Sequence, residues 1–234
     1  MASFDKPMLG TVLLIEQDVP RDTIHCDLEN IAALGMNLVV LWPPMSRWDS
    51  ADGVSAAFDT VDFAMDTCAE LGLGVILELE GQNPSFQFMP DYQFKEEYFS
   101  TDDTGKHWVN YLHPEVDRLI CDYCRDVAVH FRDHPALLGY DLFNEVNFRS
   151  TDKYNLAAFQ SWLENKYESV AGLNRVWGRF YNSFDQVRID NLDYAYSSWS
   201  SLRPQLDFFD YRADTVAGLI RHWGEAVREV DPQH

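Results

Sequence analysis

The sequence predicts an α/β chain of the (β/α)8 TIM-barrel type that carries the first four β/α units plus extra helices. Three observations point there. Short apolar runs alternate with stretches of helical spacing, and right-handed crossovers turn such an alternation into a parallel sheet with helices outside it. Polar and aromatic residues gather after each run: Glu16; Trp42 with Trp48; Glu78 and Glu80; Asn144 and Glu145. Strand C-termini are where barrel enzymes keep their chemistry. No Gly-x-Gly-x-x-Gly or phosphate loop follows any run, which argues against a doubly wound open sheet.

Taken in order, Met8 to Ile15 is a continuous apolar run and reads as a buried strand, since parallel strands are covered on both faces. Arg21 to Leu34 follows with Ile24, Leu28, Ile31, Ala32 and Leu34 on one helical face, and Gly35 sits where a C-cap belongs. Asn37 to Trp42 is a second strand, ended by Pro43-Pro44. Phe58 to Leu71 is helical and stops at Gly72; Leu73 to Leu79 is the third strand. Gln82 to about Asn110 has no periodicity and is rich in Phe, Tyr, Pro and Asp, the composition of a long functional loop. His113-Pro114 opens a helix to about Phe131, and Leu138 onward is the fourth strand. Beyond Asn147 only helices are expected: Tyr154 to Tyr167, shorter pieces at Ala171 to Phe180 and Ser183 to Val187, a loop from Asn191 to Ser201, and a long helix from Gln205 to Val230. A full barrel needs eight strands in about 250 residues. Residues 1–234 therefore read as a single catalytic-barrel domain that is incomplete at its C-terminus.

The formal net charge is −20 and the pI about 4.5. Such a surface repels phosphate backbones and anionic lipid, so neither nucleic acid nor a membrane is an expected partner. No run of about 20 apolar residues exists, and the N-terminus lacks a basic and apolar leader pattern, so a cytoplasmic chain or a mature fragment is expected. An aromatic content of 14% suits a neutral sugar, whose apolar faces stack on rings, although core packing accounts for most of these residues. Cys121 and Cys124 form a Cys-x-x-Cys inside a helical pattern and read as buried helix-face thiols rather than a zinc or redox motif. No metal and no cofactor is expected. An exposed half-barrel flank favours self-association, so a homo-oligomer is expected.

The polar cluster after the fourth strand carries the chemistry. A Glu at a strand end can protonate a glycosidic oxygen, and an Asn beside it can hydrogen-bond a neighbouring sugar hydroxyl. Glu145 could equally serve as a helix N-terminal acid or an ion-pair partner. Trp42, Trp48, Trp108, Phe86 and Phe88 are candidates for sugar-stacking walls, and packing explains each of them as well.

Several stretches together resemble the family 42 glycoside hydrolases, the bacterial β-galactosidases. They are Ala69 to Leu77, His134 to Tyr140 running into Asn144-Glu145, and Phe159 to Tyr167 continued by Leu173 to Gly178. Asp207-Phe208 and Asp210-Tyr211-Arg212 also match the family pattern. The resemblance implies a retaining two-carboxylate mechanism with Glu145 as acid/base, Asn144 holding the sugar, and a nucleophile on a later strand beyond His234. Glu16, Glu78 and Glu80 do not match that position and read as strand-end ion-pair or loop hydrogen-bond groups. The family's Asp before Asn-Glu is Phe143 here, and its sugar-contacting Arg is replaced by Lys106 or His107, which lack the rigid fork of a guanidinium. The substrate implied is a terminal β-galactoside. A mannan- or glucan-type glycosidase of the same clan, or a non-catalytic carbohydrate-binding half-barrel, are the alternatives.

Overall fold

A computed structural model describes residues 7–15, 19–42, 58–79, 95–101, 107–144, 151–189 and 202–234, with the backbone alone at 101, 107 and 108. The contacts divide the chain into two compact units. One comprises Met1–Lys95, Asp117–Val146 and Ile220–His234; the other comprises Glu96–Val116 and Asn147–Leu219.

The first unit is built on β1 (Gly10–Leu14), α1 (Arg21–Ala33), β2 (Leu38–Trp42), α2 (Asp59–Leu71) and β3 (Gly74–Glu78). The hairpin strands β4 (Phe99–Thr101) and β5 (His107–Val109) intervene in the chain before α3 (Pro114–Phe131) and β6 (Leu137–Asp141). The sheet order is β1-β2-β3-β6, and every pairing is parallel. Its four strands are the four expected from the apolar runs. Each crossover helix ends as the sequence suggests: Gly35 (φ +80°) and Gly72 (φ +70°) take the left-handed conformation that closes α1 and α2, which a side chain would strain.

The sheet has two different faces. Val39, Leu41, Val75 and Leu77 are fully buried, as are Leu28 of α1 and Val61, Ala64 and Met65 of α2. The opposite face is open at β1, where Val12 is 54% and Leu14 57% exposed. This corrects the expectation of a first strand buried on both sides. β1 pairs with β2 alone among the described residues, so one edge and one face of an apolar run meet solvent. Leu34 departs too: it is the C-cap of α1 and is 73% exposed, while Ile24, Leu28 and Ile31 carry the packing.

The stretch expected to be an irregular loop from Gln82 contains regular structure at its end. A 3-10 turn at Glu96–Tyr98 leads into β4, which pairs antiparallel with β5. Three-residue strands are too short to register as periodicity. Residues 80–94 lie outside the described residues.

The second unit holds α4 (Lys153–Tyr167), α5 (Val170–Trp177) and the larger part of α6 (Arg203–Arg228). Asp152 caps α4 by accepting hydrogen bonds from the backbone amides of Tyr154 (2.7 Å) and Asn155 (3.2 Å), which satisfies two otherwise orphan donors. Phe159 is the hub of its core, with ring centroids 5.0 Å from Tyr211, 5.2 Å from Phe208 and 6.4 Å from Trp177. Under this cluster lies Asp207, fully buried. It accepts from Trp177 Nε1 (2.7 Å), from Lys166 Nζ (3.0 Å) and from the Tyr167 hydroxyl, and pairs with Arg203 Nε at 3.0 Å. No helix among the described residues is long and apolar enough to cross a membrane.

Candidate functional site

The C-terminal ends of β2, β3 and β6 bring a row of side chains onto the less covered face of the sheet. Parallel register sets the row. Leu14 pairs with Trp42, Leu41 with Leu77, and Glu78 with Asp141, so Trp42, Glu78 and Asp141 are successive neighbours across the strands. Asn144 follows Asp141 by three residues and is half-buried, as is Trp42.

Glu78 is 1% exposed, and among the described residues no cation pairs with it. Burial first, and then the charge and hydrogen bonding of Asp141, push its carboxyl up to about 9; the backbone amide of Asn144 opposes the shift. Neither Glu78 oxygen has a well-formed hydrogen bond, so the contacts with Asp141 and Asn144 are long or off-line. That shift holds Glu78 towards its neutral, protonated form at neutral pH. Of the two readings given to Glu78, an ion pair or a hydrogen-bonding group, the described residues supply no cation for the first; its neighbour is another acid. The sequence contained the signal only as a register. A Glu closing β3 and an Asp closing β6 become partners once those strands are adjacent, and the separation in sequence hides it.

Of the site residues expected from sequence, Trp42 and Asn144 fall at this strand-end row. His107 and Trp108 supply backbone to β5 in the second unit, and their side chains lie outside the described residues. Glu145, Trp48 and Lys106 lie outside them as well, as do Glu16, Glu80, Phe86 and Phe88. His113, which was expected to open α3, does so: it is buried, and its Nδ1 accepts from the amide of Glu115 at 3.2 Å. Its ring packs edge-on against Tyr98 and Tyr154. Phe143, the departure just before Asn144, stacks on Trp223 of α6 with centroids 5.7 Å apart and planes at 15°.

The chain is 24% identical over 233 residues to the β-galactosidase bgaB of Geobacillus kaustophilus, a match over 91% of this chain and 33% of that protein. It superposes on the β-galactosidase of the psychrophile Marinomonas ef1 with TM-score 0.76 at 21% identity, over 96% of this chain and 36% of that one. The β-galactosidase of the haloarchaeon Halorubrum lacusprofundi gives TM-score 0.78 at 18% identity, over 97% and 35%. The fold shared with these structures is the TIM-barrel type, of which this chain holds four parallel strands and their helices. The chain spans between 26% and 33% of the length of the first curated relatives it matches. Residues 15–234 match the model of glycoside hydrolase family 42, described as Beta-galactosidase, and the chain belongs to that family.

Proposed function

We propose that this chain is the acid/base-bearing part of a retaining glycoside hydrolase that acts on terminal β-galactosides. The observation that carries the reading is the position of Asn144, three residues past β6 at the C-terminal end of a parallel sheet, with Glu145 next to it in the sequence of a chain of a β-galactosidase family. Glu145 gives its proton to the leaving oxygen and then, as a carboxylate, takes one from the attacking water. Asn144 holds the sugar hydroxyl beside the scissile bond. The nucleophile comes from a carboxylate outside this chain, roughly 5–5.5 Å from Glu145 in the assembled site. Trp42, Trp48, Lys106, His107 and Trp108 are the residues proposed for contact with the sugar. Residues 1–234 then form one part of a single barrel domain, and a homo-oligomer suits the open β1 edge. Four cysteines without a disulfide suit a reducing compartment such as the cytoplasm.

The test is hydrolysis of chromogenic β-galactoside, β-mannoside and β-glucoside by this chain and by the longest product of its gene. The expected result is β-galactoside turnover in the longer product, with loss of most of it in Glu145→Gln for substrates with poor leaving groups. Undiminished turnover in Glu145→Gln would remove this residue from the mechanism. Preference for the mannoside or glucoside would move the chain to another specificity of the clan.

A further inference from the structure

We infer that Asp117, Cys121 and His222 form a zinc-binding site on the outer helices of the first unit. Asp117 and Cys121 lie one turn apart on α3, and His222 faces them from α6. The ligand atoms of all three lie within 4.8 Å of one another. Cys121 Sγ is 3.4 Å from His222 Nε2, and that nitrogen is 3.2 Å from Asp117 Oδ2.

Both contacts meet the same ring nitrogen. A thiol–imidazole–carboxylate relay would use the two nitrogens of the ring, one for each partner. Three donors converging on one point instead describe a coordination shell. A tetrahedral zinc with bonds of about 2.3 Å to sulfur, about 2.05 Å to nitrogen and about 2.1 Å to oxygen holds S and N about 3.6 Å apart, and N and O about 3.4 Å apart. The two separations from the His222 nitrogen need changes of only about 0.2 Å to meet those values, well within the play of side-chain torsions, and the sulfur and carboxylate oxygen lie within 4.8 Å of each other.

The surroundings suit a metal. Trp223 Nε1 donates to Asp117 Oδ1 at 3.3 Å, which leaves Oδ2 for the metal and fixes the carboxylate plane, the usual service of an outer-sphere partner. The negative charges of Asp117, Asp122 and Glu229 act on the thiol, against the one positive charge of Arg125. On binding, the S–H bond gives way to an S–Zn bond, the proton leaves to solvent, and nothing is oxidised. The His222 side chain is 52% exposed, which provides an entry path, and water completes the fourth position. Cys124 is not one of the converging donors, so the ligand set is not the Cys-x-x-Cys pair.

The test uses the full chain, stripped with a chelator and titrated with Co²⁺ and then Zn²⁺. One equivalent of Co²⁺ is expected to bind and give the near-ultraviolet charge-transfer absorption of a cobalt thiolate, which Zn²⁺ then abolishes. Cys121→Ser removes that absorption and Cys124→Ser keeps it. His222→Ala, at an exposed position that leaves the fold intact, weakens binding by at least about 100-fold, beyond the loss of an outer-sphere partner. Absence of the absorption in the parent chain, its persistence in Cys121→Ser, or undiminished affinity in His222→Ala would each overturn the site. The last of these would mark the binding as adventitious to an acidic surface. If Cys121→Ser fails to fold, His222→Ala decides alone.

Discussion

Glu78 and Asp141 stand in register at the ends of neighbouring parallel strands, carboxyl beside carboxyl, with Glu78 buried. Asp141 of the pair lies three residues before Asn144. The pair's energetic signature is a pH dependence of known sign. The Glu78 carboxyl titrates at about 9 in the fold against 4.5 when free, so between those values the native state binds more protons than the unfolded chain. Its contribution to stability is then full below about pH 4.5 and is lost as the pH rises towards about 9. From pH 5 to 7 the loss is at most about 3 kcal/mol. Glu78→Gln keeps the shape and removes the titration. Urea unfolding of both proteins across this range is expected to show the parent losing stability relative to Glu78→Gln as pH rises. Parallel profiles would mean that Glu78 is ionised in the fold.

Asp207 is a structural hub. It is fully buried and is shared by Lys166, Tyr167, Trp177 and Arg203. Asp207→Ala leaves the Trp177 N–H without its acceptor and the Lys166 ammonium without one of its two carboxylates. The expected cost is about 3–5 kcal/mol, the range for breaking a buried charged network from one side. Asp207→Asn keeps an acceptor and is expected to lose less. Chemical denaturation measures both, and equal losses would show that the charge matters no less than the shape.

Much of this fold was legible in the sequence because its signals are local. Strand runs, helix faces and the glycines closing α1 and α2 all lie within a few residues of each other. The family-bearing stretch around Lys166, Tyr167 and Trp177 was legible as a motif, but its physical meaning was not. Only the fold shows that it builds the shell of Asp207, so it speaks for scaffold rather than chemistry. The Glu78–Asp141 pair and the Asp117–Cys121–His222 cluster escaped for one reason. Each joins residues far apart in sequence, 101 positions in the case of Cys121 and His222, and only packing brings them together. An exposed flank was legible from the count of four strands, but that it falls on β1 was not, because an apolar run does not say how many neighbours it will have.

Phe143 occupies the position where the family resemblance implies an Asp. Its stack on Trp223 gives it a role there, because it ties the segment before Asn144 to α6. Phe143→Asp therefore reverts to the family residue and still harms the protein. It loses an aromatic pair and sets a carboxylate against a ring that is 1% exposed, at a cost of about 2 kcal/mol. The shift in urea midpoint of this chain checks the value. An unchanged midpoint would show that the stack contributes nothing and that the segment is held from elsewhere.

Val12 is the last test, because one substitution has opposite consequences in two settings. In this chain its side chain is 54% exposed on β1, alongside Leu14 and the exposed Leu9 and Met8. An apolar, one-sided edge strand is a template for pairing with another copy, and a lysine on it is a common natural block. Size-exclusion chromatography with light scattering is expected to show concentration-dependent self-association of the 234-residue chain, shifted to monomer by Val12→Lys. The stability of the monomer should change by less than about 0.5 kcal/mol, as for other exposed sites. In a completed barrel the same face is the packed interior, where an unpaired ammonium is costly. In the longest product of the gene Val12→Lys should therefore lower the melting temperature sharply. A monomeric parent chain at all concentrations would remove the edge argument. A longer product indifferent to Val12→Lys would show that this face of β1 stays open and that the barrel does not close over it.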